Sequence, residues 1–173
     1  YKKSREGKAV IDRVMAHVLK HSGQDHRIID FMPYGYDERQ FCSPGFNLPV
    51  GSFMRTPHGE YPEYHTSGDN LDLVSAVSLG ASYEHCLNAF SVLEHNRTYR
   101  TLNPKCEPQL GKRGLYRTIA GQQEKQIREL ALLWVLNLSD GTHSLLDIAE
   151  RSGMPFPEIR QSTESLAACG LLK

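Results

Sequence analysis

The sequence lacks several features that would by themselves assign the protein to a class. Its 20 Lys and Arg residues balance its 20 Asp and Glu residues, so no overall field favours nucleic acid or an anionic membrane. It contains no run of about 18 or more apolar residues. The charged start YKKSREGKAV also lacks the apolar region of a signal peptide. Neither a membrane span nor a secretory leader is therefore expected.

Closely spaced cysteines are also missing. The four cysteines form neither a C-x-x-C pair nor the dense framework of a small secreted domain. We interpret them as reduced thiols and expect a cytoplasmic protein. The 173 residues are 39% hydrophobic and 23% charged, which is ordinary globular composition and enough chain for one domain or one and a half.

Hydrophobic spacing predicts a helix and then two strands in the first third of the chain. An apolar stripe at helical spacing begins near residue 9 and predicts an amphipathic helix that ends near Ser22. Residues 27–35, RIIDFMPYG, form a β-branched and aromatic run that predicts a buried strand, and residues 49–55, PVGSFMR, predict a second strand. A helix followed by strands indicates an α/β fold.

A second helical region follows the loops. Asp69 or Asn70 is predicted to N-cap it, and the apolar periodicity continues to about His95, with or without a break at residues 79–82, LGAS. Residues 97–117 then contain six Lys or Arg and one Glu, together with two prolines and two glycines. This composition predicts a linker. The predicted divisions are 1–96, a basic linker at 97–119, and a second domain at 120–173.

The last third predicts three short helices that share a small core. Their order, with DIAERSGMPFPEIRQSTESL in the middle, is typical of the helix-turn-helix of a winged-helix domain. Residues 140–173 carry three Lys or Arg against five Asp or Glu, a balance that repels phosphates and disfavours DNA binding. A helical interaction domain, able to form a homo-oligomer through these C-terminal helices, is the preferred interpretation.

His65 raises the main functional question. No second histidine stands at a metal-binding spacing such as H-x-x-H, so a structural or exposed histidine is the simpler interpretation. Imidazole is nevertheless a common zinc ligand, and it needs an orienting partner, for which Asp69 is a candidate. His58 and His85 have no such setting. Arg55 is interpreted as an exposed arginine, with the holding of a substrate carboxylate as the alternative.

Two stretches resemble a known family. YDERQFCSPGFNLPVGSFMR at 36–55, followed by EYHTSGDNLDLV at 63–74, resembles the C-terminal part of the co-catalytic zinc aminopeptidases and the related glutaminyl cyclases. The resemblance is closest to a bacterial group of aminopeptidase-like proteins linked to polysaccharide biosynthesis, in which a winged-helix domain follows. It implies a fragment of an aminopeptidase-like mixed-sheet domain and then a winged-helix-like domain.

The resemblance also implies site residues. His65 matches the last zinc-ligating histidine of the family, and Asp69 matches the aspartate of the same motif, which would orient that ligand without binding the metal itself. Asp37 matches an aspartate that lies at the pocket edge and, in the cyclases, contacts substrate. The chain departs from the pattern at Tyr36, where serine is usual, and at Glu38, where histidine or tyrosine often stands.

The remaining catalytic groups of the family lie upstream of the matched stretches. They are a His and Asp pair, a further carboxylate ligand and a glutamate that acts as general base. The resemblance therefore implies the C-terminal portion of a longer enzyme, in which one or two zinc ions assist hydrolysis of a terminal amide bond in a small peptide or other amide substrate. With one ligand, this chain alone is expected to be inactive. Two alternatives remain: a non-catalytic binding or assembly protein, and a transcription regulator that uses the winged helix.

Overall fold

The structure, a computed structural model, describes residues 1–116 and 122–173, and for residues 122–125 it describes the backbone alone. The described chain forms two compact units, Tyr1–Leu93 and Glu94–Lys173. Each unit has buried apolar side chains of its own.

The first unit contains α1 at Val10–Lys20, α2 at Asp37–Phe41 and all but the last two residues of α3, which runs over Ala76–His95. The first predicted helix is confirmed as α1, which buries Val14, Met15, Val18 and Leu19 of its apolar stripe and leaves Val10 exposed. A buried carboxylate fixes the start of this helix. Asp12 accepts hydrogen bonds from the Tyr1 hydroxyl at 3.0 Å, from the Ser4 amide and hydroxyl at 2.7 and 2.6 Å, and from the Ala9 amide at 3.0 Å. These four donors replace the water that a buried carboxylate loses.

The second predicted helix forms as α3, but the prediction of where it starts was wrong. The cap is neither Asp69 nor Asn70, because the Asn70 side chain instead accepts from the Asp72 amide at 2.7 Å in a local turn. Ser75 caps α3, since its hydroxyl oxygen accepts from the Ser78 amide at 3.1 Å. The helix runs without a break through Gly80.

The two predicted strands were also wrong as regular strands. Within residues 1–116, Ile29 and Ser52 each form only an isolated bridge, and both bridges are to Lys2. Lys2 pairs in parallel with Ile29 and in antiparallel with Ser52. The segment Tyr1–Lys3 thus lies between the two others, and each pairing consists of a single bridge.

The second unit has the element order of a winged helix. β1 at Thr98–Arg100 and a 3-10 turn at Gly111–Arg113 precede α4 at Gln122–Leu138. β2 at Asp140–Ser144, α5 at Leu145–Ser152 and α6 at Phe156–Ala168 follow. The core lies between the three helices, and the largest fully buried apolar side chains of this unit are Leu110, Leu132, Val135, Leu145, Leu146, Ile148, Ile159 and Leu166.

The stretch predicted as a basic linker, 97–119, contains β1. Thr98 and Arg100 pair in antiparallel with Ser144 and Asp140 of β2, and Thr101 forms a bridge with Leu172. Residues 97–116 therefore belong to the second unit, and its sheet also receives the chain end at GLLK. Residues 117–119 of the predicted linker, and 120–121 of the predicted domain, lie outside the described residues.

The four cysteines carry free thiols. Cys42 is buried, and its sulfur donates to the carbonyls of Leu48 and Val50 at 3.2 Å. Among the helices of residues 1–116 and 122–173, none has the length and apolar character needed to cross a membrane.

Candidate functional site

His65 lies in a series of tight turns. The Thr66 amide donates to the Glu63 carbonyl at 3.0 Å, and the Asp69 amide donates to the Thr66 carbonyl at 3.2 Å. The Thr66 hydroxyl oxygen accepts from the Gly68 amide at 3.1 Å. His65 itself has a φ of 58°, in the left-handed region that few residues with a Cβ adopt. Such backbone strain is often found at functional sites.

Aromatic rings surround the backbone turn that carries His65. Tyr64 lies at the centre: its ring centroid is 4.1 Å from that of His65, 5.7 Å from that of His58 and 5.5 Å from that of Tyr61. His58 also meets the Tyr36 ring edge-on, with centroids 5.8 Å apart. The two stretches that resemble the aminopeptidase family are therefore in contact through these rings.

The side chains around Tyr64 raise the pKa of its hydroxyl. A hydrogen bond with Tyr36, some burial and the nearby Tyr34 and Tyr61 hydroxyls raise the pKa of Tyr64 to about 12. A tyrosine hydroxyl is already protonated at neutral pH at its ordinary pKa, so the raised pKa only reinforces this state, in which the phenol can act as a hydrogen-bond donor.

Asp37 is the first residue of α2 and is exposed beside Tyr36. Asp69 is exposed as well, and in the parts of the chain described, 1–116 and 122–173, its carboxylate makes no hydrogen bond to His65. The structure thus brings the neighbours of Asp37 and His65 together through Tyr36 and Tyr64, without a direct bond between the two predicted site residues.

A buried ion pair positions the segment that carries Tyr36 and Asp37. The Lys2 ammonium lies 2.5 Å from a carboxylate oxygen of Glu38, and both side chains are only 7% exposed. The ammonium also donates to the Tyr34 carbonyl and, at 3.4 Å, to the Met32 carbonyl. Burial alone would raise the pKa of Glu38, but the Lys2 hydrogen bond, backbone amides and the Lys2 charge together lower it. Glu38 is thus a structural carboxylate at this site.

Gly35 leaves the space that the ion pair occupies. A Cβ atom at this position would lie 1.9 Å from the Glu38 carboxylate oxygen, and its φ is 141°. Only glycine fits both conditions. The sequence alone predicted no partner for Glu38. The signal in the sequence was Gly35, since a glycine can mark a place where a side chain packs closely against the backbone.

The described residues do not by themselves form a complete metal site. In residues 1–116 and 122–173, no three His, Cys, Asp or Glu side chains are grouped so that they could hold an ion. A zinc site uses three or four protein ligands, so His65 would need ligands from elsewhere.

The winged-helix unit carries little positive charge on its third helix. Arg160 is the one basic residue in the α6 sequence FPEIRQSTESLAA, and its Nε atom lies 2.7 Å from the carboxylate of Glu164. A recognition helix normally directs several cations or amides toward DNA.

Comparison with known proteins agrees with the order of these two units. Residues 97–173 match a winged helix-turn-helix family. A solved structure from Clostridium acetobutylicum, provisionally named a peptidase, covers 99% of this chain with a TM-score of 0.90 and 48% sequence identity, and the match is 37% of that chain. This chain therefore resembles part of a peptidase-like structure and ends in a winged-helix domain, and the predicted fold class is confirmed.

Residues 1–96 match the family described as a domain of unknown function, DUF4910, and the chain belongs to this family. A curated protein of Clostridium acetobutylicum is 51% identical over 173 residues, which are 100% of this chain and 40% of that protein. Its provisional name is a polysaccharide biosynthesis protein with an aminopeptidase-like domain. The chain therefore spans about two fifths of the length of this relative, and the predicted resemblance is confirmed.

Proposed function

We propose that this chain is part of a zinc-dependent, aminopeptidase-like hydrolase that acts on a terminal amide bond. The strained turn at His65 carries the proposal, because it presents an exposed imidazole at a left-handed backbone position. The provisional names of the two relatives, peptidase and aminopeptidase-like, support the same class.

In this proposal His65 is one metal ligand of one or two zinc ions, and Asp69, which makes no hydrogen bond to His65 in the described residues, orients the imidazole in the metal-bound protein. Asp37 contacts the substrate, a small peptide or another amide, at the pocket edge. The other ligands and the general base come from outside the described residues, so the chain alone is inactive. A cytoplasmic location is part of the proposal and is supported by the four free thiols.

Zinc content tests the ligand assignment. We would measure zinc stoichiometry and affinity for this chain and for the longer native protein, with His65→Asn and His58→Asn. Asparagine tolerates the left-handed backbone better than alanine does, so the turn is preserved. His58 is the matched control, because its ring also contacts Tyr64.

We expect the longer protein to bind zinc tightly and to lose at least about tenfold in affinity, roughly 1.4 kcal/mol, on replacement of His65. Replacement of His58 should have no such effect. Zinc binding that is indifferent to His65 in both proteins would overturn the proposal.

The second candidate is a non-catalytic binding or assembly protein. An apolar surface on α4 favours it: Ile127 is 45% exposed and Leu130 is 49% exposed. Trp134 and Leu138 continue the same helical row and are partly exposed. A row of this kind is able to mediate association of copies of the chain. DNA binding is not part of either proposal, because of the acidic balance of residues 140–173.

A further inference from the structure

A cavity of about 360 Å³ lies within the first unit. The turn after α1 forms one wall, residues 53–57 form another, and His85 of α3 contributes as well. A volume of this size is typical of pockets that bind small molecules.

The cavity combines an apolar wall with a buried polar group. Its apolar lining comes from Leu19, Ile29, Phe53, Met54 and Pro57. His85 is only 6% exposed, its Nε2 atom lies 3.4 Å from the Gln24 amide oxygen, and its ring meets that of Phe53 with centroids 5.9 Å apart. A ligand that fits this lining has an apolar body.

One exposed arginine of the cavity lining has no partner among the described residues. Arg27 is already engaged, since its Nη2 atom lies 2.6 Å from the Glu60 carboxylate. Arg55 has neither a hydrogen bond nor an ion pair with any residue in the described ranges 1–116 and 122–173. A free guanidinium presents a planar pair of donors that matches a carboxylate.

The charge of the lining selects among anions. Asp25 also lines the cavity, and its carboxylate opposes the entry of a group with two negative charges. A singly charged carboxylate on an apolar body therefore matches the lining better than a phosphate does.

We propose that this cavity binds a small monocarboxylate with an apolar body, and that Arg55 holds its carboxylate. The wall at 53–57 leads directly to His58, whose ring contacts Tyr64 beside His65. A role as the subsite for a carboxylate-bearing part of the substrate rests on the proposed hydrolase function, whereas binding itself does not.

Binding of a matched pair of probes tests this assignment. We would titrate the 173-residue chain with N-acetyl-leucine and with its neutral amide, N-acetyl-leucinamide, and follow the NMR shifts of the cavity residues. Arg55→Gln removes the cation and Arg55→Lys retains the charge without the planar fork. Arg39→Gln is the control, because Arg39 is exposed on α2 and does not line the cavity.

We expect the acid to bind about tenfold or more tightly than the amide, as hydrogen bonds to a charged group predict. Arg55→Gln should abolish this preference, Arg55→Lys should reduce it, and Arg39→Gln should leave it unchanged. Equal binding of acid and amide, a preference that survives Arg55→Gln, or tighter binding of inorganic phosphate than of the acid would overturn the proposal.

The proposal for the cavity and the proposal of hydrolase function can be rejected independently of each other. His65→Asn should leave the binding of N-acetyl-leucine unchanged, while it lowers the zinc affinity of the longer protein. Loss of zinc binding with retained acid preference therefore supports both statements. Zinc binding indifferent to His65, with retained acid preference, would leave the cavity assigned and the hydrolase rejected.

Discussion

Lys2 and Glu38 form an ion pair that is nearly withdrawn from water, and its removal should be costly. Lys2→Ala leaves the Glu38 carboxylate buried without its cation, which we expect to reduce the free energy of unfolding by about 3–5 kcal/mol. Urea denaturation of the variant and of the parent chain measures this loss.

The control for this prediction is Lys3→Ala. Lys3 also makes an ion pair, at 2.8 Å, but its partner Asp30 is 90% exposed. We expect this variant to lose less than about 1 kcal/mol. Similar losses at Lys2 and Lys3 would show that the buried pair is not the anchor of residues 32–38.

The histidine at position 17 should make stability depend on pH. It is only 5% exposed, and burial, together with the nearby His21 and Lys20, lowers the pKa of His17 to about 4. Above the unfolded-state pKa of about 6.5, both states are neutral and the residue has no pH effect. As the pH falls from there to about 4, the unfolded state binds the proton first, so stability falls.

We therefore expect His17→Asn to flatten the fall of the unfolding free energy between about pH 6.5 and pH 4. Urea denaturation at several pH values in this window, compared with the parent chain, measures the slope. Equal slopes in the two proteins would contradict the assignment to His17.

For single residues, the sequence predicted which structural element carries a side chain better than it predicted which side chains pair with each other. It placed His65 in a loop before a helix, and the structure has it in a turn before α3. It gave no indication that Lys2 is buried, because its partner lies 36 residues away and such pairings leave no periodic signal in the sequence.

At the scale of elements, α1 was predictable and the strands were not. A helix makes its hydrogen bonds within itself, so apolar spacing alone locates it. The extended segments at Ile29 and Ser52 depend on Lys2 as a shared neighbour, and the pairing covers one bridge each. Their β-branched and aromatic residues fit a pleated surface, but they do not determine how far a ladder extends.

The start of α3 provides a test at this scale. Ser75→Ala removes the hydroxyl that accepts from the Ser78 amide, so we expect a loss of about 1 kcal/mol in unfolding free energy. Thermal or urea unfolding measures the loss. Ser75→Asp keeps an acceptor at the cap and should remain close to the parent, whereas an equal loss in both variants would argue against a capping role.

At the scale of the whole molecule, the apolar row on α4 predicts self-association. Leu130→Glu introduces a charge into this row and should shift the chain toward the monomer, because burial of the carboxylate in an interface is unfavourable. Analytical ultracentrifugation over a range of concentrations measures the equilibrium.

Gln161→Glu is the charge-matched control on the exposed side of α6. It should leave the association unchanged. A parent chain that stays monomeric at every concentration, or a Leu130→Glu variant that associates as the parent does, would contradict the prediction.

The division of the chain into two units could be read only in part from the sequence. The composition shift after residue 96 lies close to the observed boundary between Leu93 and Glu94. The basic residues that follow gave no sign of β1, since its partners are Asp140–Ser144 and the chain end, far away in sequence. Charge and proline content indicate whether a segment is exposed to solvent, but they do not indicate that it pairs with a strand far away in sequence.

The apolar row on α4 has a spectroscopic consequence. Trp134 is the single tryptophan of the sequence, while the rings around His65 are tyrosines and histidines. Light at the long-wavelength edge of the indole absorption band therefore excites α4 selectively. A molecule that covers this helix should shift the emission toward the blue, so the winged-helix unit carries its own optical reporter without any attached dye.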